Sequence, residues 1–199
     1  MPRIVILLLC ILTAGGQAFA QAKAPGEIGG FALGENISAY ADRLDMKSAM
    51  PLPDAPYLMR VNVKPLRGFS SGYLLYGACA APGRIVRIKL RYADSGVYIL
   101  AEINSSLVQS YGQPEELRDN FDRSYICNKW SLKSDDGQAI SLILQHYDGW
   151  NPEYDRGSSI KLADWTLLNA ERACFLKKEP AKADAPKKDA KVDAALLPK

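Results

Sequence analysis

Apolar residues between Ile28 and Phe175 recur at two spacings, and the spacing switches several times along the chain. Recurrence every third or fourth residue marks one face of a helix; strict alternation marks a strand with one buried face. The first switch lies in "GFALGENISAYADRL". Asn36 can cap a helix there, and Ile37, Tyr40, Ala41 and Leu44 follow at helical spacing. Strand-like runs come next: "YLMRVNV" (57–63), "GYLLYGAC" (72–79) and "RIVRIKLRY" (84–92). Ala80 and Ala81 with the turn pair Pro82-Gly83 make the last link short enough for a hairpin. Alternation in the third run sets Val86, Ile88, Leu90 and Tyr92 on one side and Arg87, Lys89 and Arg91 on the other.

The order then repeats. Asp94 or Ser95 can cap a second helix, with Val97, Leu100, Ala101, Leu107, Val108 and Tyr111 as its apolar stripe. Gly112 and Pro114 stand where a helix stops. The strands "SYICNKWSL" (124–132) and "AISLILQHY" (139–147) follow, joined by "KSDDGQ", whose Asp-Gly is a hairpin signal. A third strand, "SSIKLAD", leads into "WTLLNAERACFLKK", a short closing helix or extended segment. Helix and strands, then helix and strands, predict an α+β domain of two similar halves, each a helix packed on an antiparallel sheet.

The Phe31-Ala32-Leu33-Gly34 run before a helix, the "YGQP" helix stop and the paired strands after each resemble the tandem helix-and-sheet architecture of β-lactamase-inhibitor-like and BamE-like envelope proteins. "GACAAPGRIVRIKLRYAD" and "KWSLKSDDGQAISLILQH" are also similar to a family of small exported bacterial proteins of unknown function. The resemblance covers Ile28 to Phe175 and implies a fold and a compartment. It carries no site residues. The lipobox of BamE-like lipoproteins is missing, because Leu9, not a small residue, precedes Cys10.

Both ends depart from the globular pattern. Residues 1–20 read as a signal peptide: Arg3, an apolar run from Ile4 to Ala14, then the Ala18-Phe19-Ala20 cleavage site. That run is shorter than the roughly 20 apolar residues that span a bilayer, although an uncleaved N-terminal anchor is the competing reading. Residues 21–27 read as a disordered N-terminus. A single domain follows over 28–177, with halves at about 28–93 and 94–177. The tail, 178–199, is built mainly from Lys, Ala, Asp and Pro; it offers too little apolar surface to offset its ordering entropy, and reads as disordered. It is a solubilising segment or a tether. No later stretch is long and apolar enough to cross a membrane.

Cleavage leaves three cysteines, in a compartment where disulfides persist. Cys127 lies in a strand-like run and suits a buried thiol, which leaves Cys79 to pair with Cys174. A zinc site is not expected, since there is no C-x-x-C pair and one histidine, His146.

Charge changes the picture more than composition does. Seven bases and no acid lie between Asp54 and Asp94, whereas eleven acids face four bases from Asp94 to Asp155. Such segregation can steer a partner, or can be the wet side of a sheet. The loop "HYDGWNPEYDRG" (146–157) sets Tyr147, Trp150 and Tyr154 among Asp148, Glu153 and Asp155, the makings of an interface anchor, a sugar platform, or aromatics tucked into the core. Trp130 and Trp165 read as core residues. The chain has no phosphate-binding glycine loop and no G-x-S-x-G or H-E-x-x-H motif, and His146 ends an apolar strand.

These readings converge on an exported, periplasmic or secreted binding module that is not an enzyme and needs no cofactor or metal. The expected partner is an envelope protein or an anionic envelope polymer, not nucleic acid. Candidate contacts are Arg87, Lys89, Arg91, Asp148, Trp150 and Tyr154. The competing expectations are a wall-sugar hydrolase using the carboxylates of the 148–155 loop, and a purely structural envelope protein.

Overall fold

The computed structural model describes residues 23–94, 96–118, 124–150 and 156–178. The expected leader (1–20), most of the tail (179–199), and Ser95, Glu153, Tyr154 and Asp155 lie outside them.

A small hairpin opens the described chain, β1 (Glu27–Ile28) with β2 (Phe31–Ala32), followed by a 3₁₀ segment, Ile37–Arg43. Four strands run as a meander: β3 (Leu44–Leu52), β4 (Ala55–Val63), β5 (Phe69–Gly77) and β6 (Ile85–Tyr92). Helix α1 (Val97–Tyr111) precedes a second meander of β7 (Glu115–Arg118), β8 (Tyr125–Lys133), β9 (Ala139–Tyr147) and β10 (Gly157–Asp164), and α2 (Trp165–Lys178) closes the fold. The antiparallel pair β6–β10 joins the meanders into one eight-stranded sheet, ordered β3-β4-β5-β6-β10-β9-β8-β7. The architecture is α+β.

Local sequence explains most of the joints. Gly83 and Gly137 adopt φ of +82° and +80° in the β5–β6 and β8–β9 turns, a region that favours glycine. The Gly112 N–H closes α1 on the Val108 carbonyl, and Pro114 follows. Asn36 caps its helix as expected, its Oδ1 accepting from the Ser38 N–H at 2.9 Å. That helix, however, is a short 3₁₀ piece interrupted at Tyr40. Tyr40 packs edge-on to Phe31, and Arg43 reaches back to the Gly29 and Gly30 carbonyls, so tertiary contacts end the helix before Leu44 begins β3.

The two faces of the sheet are covered differently. One is sealed by α1 over the second meander and by the N-terminal hairpin and 3₁₀ segment. Its core holds Phe31, Leu74, Ile88, Leu90, Leu144 and Leu162, all buried, with Leu100, Ile103, Leu107 and Tyr111 of α1 packed against them. Val97 and Ala101, expected in the α1 stripe, are exposed instead, and Ile103 takes a place in it. The other face carries α2 at one end, over Leu58, Leu75, Val86, Ala163 and Leu168.

α2 is fastened by polar and covalent bonds. The buried Glu171 carboxylate accepts the backbone N–H groups of Cys79, Ala80 and Ala81 at 2.7, 3.1 and 2.6 Å. A side chain at Gly77 would collide with it. Beside this clamp, Cys79 and Cys174 form a disulfide, and Cys127 is a buried free thiol. Among the described residues no helix is long and apolar enough to cross a membrane.

Candidate functional site

A bulge in β6 rearranges the expected basic row. Leu75 pairs with Arg87 and Tyr76 with Ile85, leaving Val86 as the extra residue. Val86 therefore joins the core beneath α2, while Ile85, Ile88 and Leu90 stay on the sealed face. The alternation read from the sequence misplaces Val86 because a bulge puts two successive residues on one side.

Arg87, Lys89 and Arg91 do share the α2-bearing face, but they part company on it. Arg87 lies opposite Leu75 and Ala163 and runs beneath α2, its guanidinium carbon 6.0 Å from the Trp165 ring centre. Lys89 and Arg91 lie beyond the reach of α2. They line a shallow depression of about 510 Å³ with Arg60, Asn62, Ser71 and Tyr73. Among the described residues none of its lining side chains is acidic.

Pairing register builds this region. Asn62, Tyr73, Lys89 and Lys161 stand side by side across β4, β5, β6 and β10, and Ser71, Arg91 and Ser159 form the next row. The Arg60 guanidinium stacks over Tyr73 at 4.3 Å, and the Lys89 ammonium sits 5.9 Å from the same ring. Lys161 is directly opposite Lys89. Burial holds the Lys161 pKa below its ordinary value, and the charges of Arg87 and Lys89 push it the same way. Farther along the row, Lys129 is bridged to Glu115 at 3.4 Å, so positive charge concentrates on β4, β6 and β10, on either side of the uncharged β5.

Arg91 also lines a second depression, of about 410 Å³, with Tyr92, His146, Tyr147, Asp148 and Arg156. This joins the basic region to the expected aromatic loop. Tyr147 is buried, whereas Trp150 is 92% exposed, with the Arg156 guanidinium 5.4 Å from its ring. Asp148 is exposed; its carbonyl accepts from Arg156 at 3.2 Å. His146 is buried against the Ser158 hydroxyl at 2.9 Å. Trp130 is core, with its Nε1 donating to the Gly112 carbonyl, but Trp165 is 44% exposed at the start of α2. The reason is topological: α2 begins directly after β10, so its first residue stands at the sheet margin.

The structure thus gathers Lys89, Arg91, Asp148 and Trp150 along one margin, separates Arg87 from them, and leaves Tyr154 outside the described residues. Sequence reading missed Arg60 and Lys161. Each sits at an alternate position of a recognised strand, yet the pairing that brings them to Lys89 is long-range. Comparison with family models, with curated proteins and with solved structures finds no match to the chain.

Proposed function

We propose that the protein is an extracytoplasmic, non-enzymatic binding module that receives an acidic protein partner on the open part of its sheet. The observation that carries this is the cluster of Arg60, Lys89 and Arg91 in the depression beside Tyr73, with Lys161 opposite Lys89 and no acid among the described lining residues. Such a face raises the encounter rate with an anionic surface and selects against basic ones. Trp150 at the adjoining margin supplies an aromatic anchor. The leader-like residues 1–20 and the Cys79–Cys174 disulfide support placement outside the cytoplasm. We also read the two four-strand meanders, each preceded by a helical segment, as repeats of one unit, in the manner of tandem helix-and-sheet envelope proteins.

The test is capture of partners from envelope extract by residues 21–199, beside the variant R60E/K89E/R91E. A protein held by the first, lost by the second and released as salt rises supports the reading. Capture that ignores both the variant and the salt overturns it.

A further inference from the structure

The other end of the same face holds a site of different character. Between α2 and the β3–β4 turn runs a cleft of about 690 Å³, within the usual range of roughly 300–1,000 Å³ for small-molecule sites. Its walls are apolar and aromatic: Leu52, Tyr57, Trp165, Phe175 and Leu176. Tyr57 and Phe175 meet at a tilt along its lining, with ring centres 5.7 Å apart. Two cations, Arg87 and Arg172, line it against one acid, Asp54.

Arg87 makes this cleft more than a gap in packing. Its Nε is fully buried and has no hydrogen-bond partner among the described residues. The aromatic face of Trp165 is the contact its guanidinium makes there. A buried donor left unmet costs about 1–3 kcal/mol, and buried polar groups in native proteins are nearly always met. The Nε itself is closed off from the cleft, so an incoming acceptor meets the guanidinium through its other nitrogens, among apolar walls where a hydrogen bond gains most. A carboxylate matches the planar fork of a guanidinium with two parallel hydrogen bonds.

We propose that this cleft binds an amphiphilic monocarboxylate, its acid group on Arg87 and its hydrocarbon chain along Tyr57, Trp165 and Phe175. The site is independent of the open basic face: it shares with it neither lining residues nor the kind of ligand. α2 forms one wall of the site, so the Glu171 clamp and the disulfide hold its width.

The probe is decanoate, titrated into residues 21–199 with the disulfide intact and followed by calorimetry. Fluorescence of the Trp150→Phe protein, read against Trp150→Phe/Trp165→Phe to subtract the core Trp130, reports on Trp165 in parallel. The expected result is saturable one-to-one binding below the micellar range, with decanol bound about tenfold or more weakly, the scale of hydrogen bonds to a charged group. R87M is expected to lose the same factor, while R60E/K89E/R91E keeps wild-type affinity for decanoate. Absence of saturation, or equal affinity for decanoate and decanol, overturns the proposal. So does unchanged affinity in R87M. If R87M melts below the wild type, the decanoate–decanol comparison on the unaltered protein decides alone. Loss of decanoate binding in R60E/K89E/R91E would assign the carboxylate to the open face and also overturn it.

Discussion

The two faces of the sheet achieve their covering by opposite means. The sealed face is held by apolar area: Phe31, Leu74, Leu90, Leu144 and Leu162 are all buried beneath α1 and the N-terminal hairpin. The other face offers only a small apolar patch, and α2 buries little of itself beyond Leu168 and Glu171. Three hydrogen bonds to one carboxylate and a disulfide keep α2 in place. Burial is non-directional and tolerant, whereas a carboxylate clamp and a disulfide fix position. A helix fixed in this way can stand slightly off its sheet and leave a cleft. The rest of that face presents polar and charged positions, Asn62, Ser71, Lys89, Arg91 and Lys161 among them, which give an apolar element little to cover.

The comparison breaks first at the disulfide. It closes a separation of 95 residues, for which loop-closure entropy gives about 4–5 kcal/mol. C79A/C174A is expected to lose most of that, lowering the melting temperature by roughly 10 °C or more. A loss below about 1 kcal/mol in urea unfolding would mean that α2 is held without it. The sealed face is tested within one strand. Leu90→Ala is expected to cost about 2–5 kcal/mol, as a large-to-small change at a buried site. Lys89→Ala, its neighbour on the other face, is expected to stay within about 0.5 kcal/mol. Equal costs would show that the faces do not differ in the way their burial implies. Glu171→Ala strands three backbone donors around a buried site and is expected to cost about 2–3 kcal/mol, with faster amide exchange at Cys79 and Ala81. Unchanged exchange there would remove the clamp from the account.

How much of this is legible in the chain follows the range of the interaction. Turns at Pro82-Gly83 and Asp136-Gly137, the stop at Gly112 and the strand runs of β8 and β9 are local, and they read correctly; the alternation of β6 holds from Arg87 onward and fails at Val86, where the bulge breaks it. The Cys79–Cys174 pair is legible because Cys127 reads as a buried thiol and only one pairing remains. The edge strands β3 and β7 were missed. β3 carries Pro51 and two register shifts, and β7 has four residues. Those features protect a sheet edge and erase the alternation that would reveal a strand. The candidate site needed the β6–β10 pairing, which unites the two halves of the chain and which no local signal encodes. Arg87 was seen as a cation but not as the floor of a cleft, because its cover, α2, arrives from about 80 residues later in the sequence.

Lys161 gives the smallest effect and the sharpest test of the open face. It faces Lys89 across the β6–β10 pair, and like charges directly opposite are destabilising by a few tenths to about 1 kcal/mol. Lys161→Met keeps the hydrocarbon stem and removes the charge, so it is expected to stabilise the unliganded protein by up to that amount at pH 7. The sign follows from linkage. Burial, then Arg87 and Lys89, hold the Lys161 pKa below 10.5, so as pH rises the folded state releases this proton before the unfolded chain does. Across that window the unfolded state binds more protons and folding stability rises with pH. The advantage of K161M is therefore greatest at neutral pH and shrinks toward zero as pH approaches 10.5. Paired urea unfolding of wild type and variant at the two ends of that range measures it. A variant less stable than wild type at pH 7 would mean that the Lys161 charge is already compensated within the folded chain. A stabilised variant that also captures less of the acidic partner would show that the face keeps a repulsive charge because a ligand neutralises it.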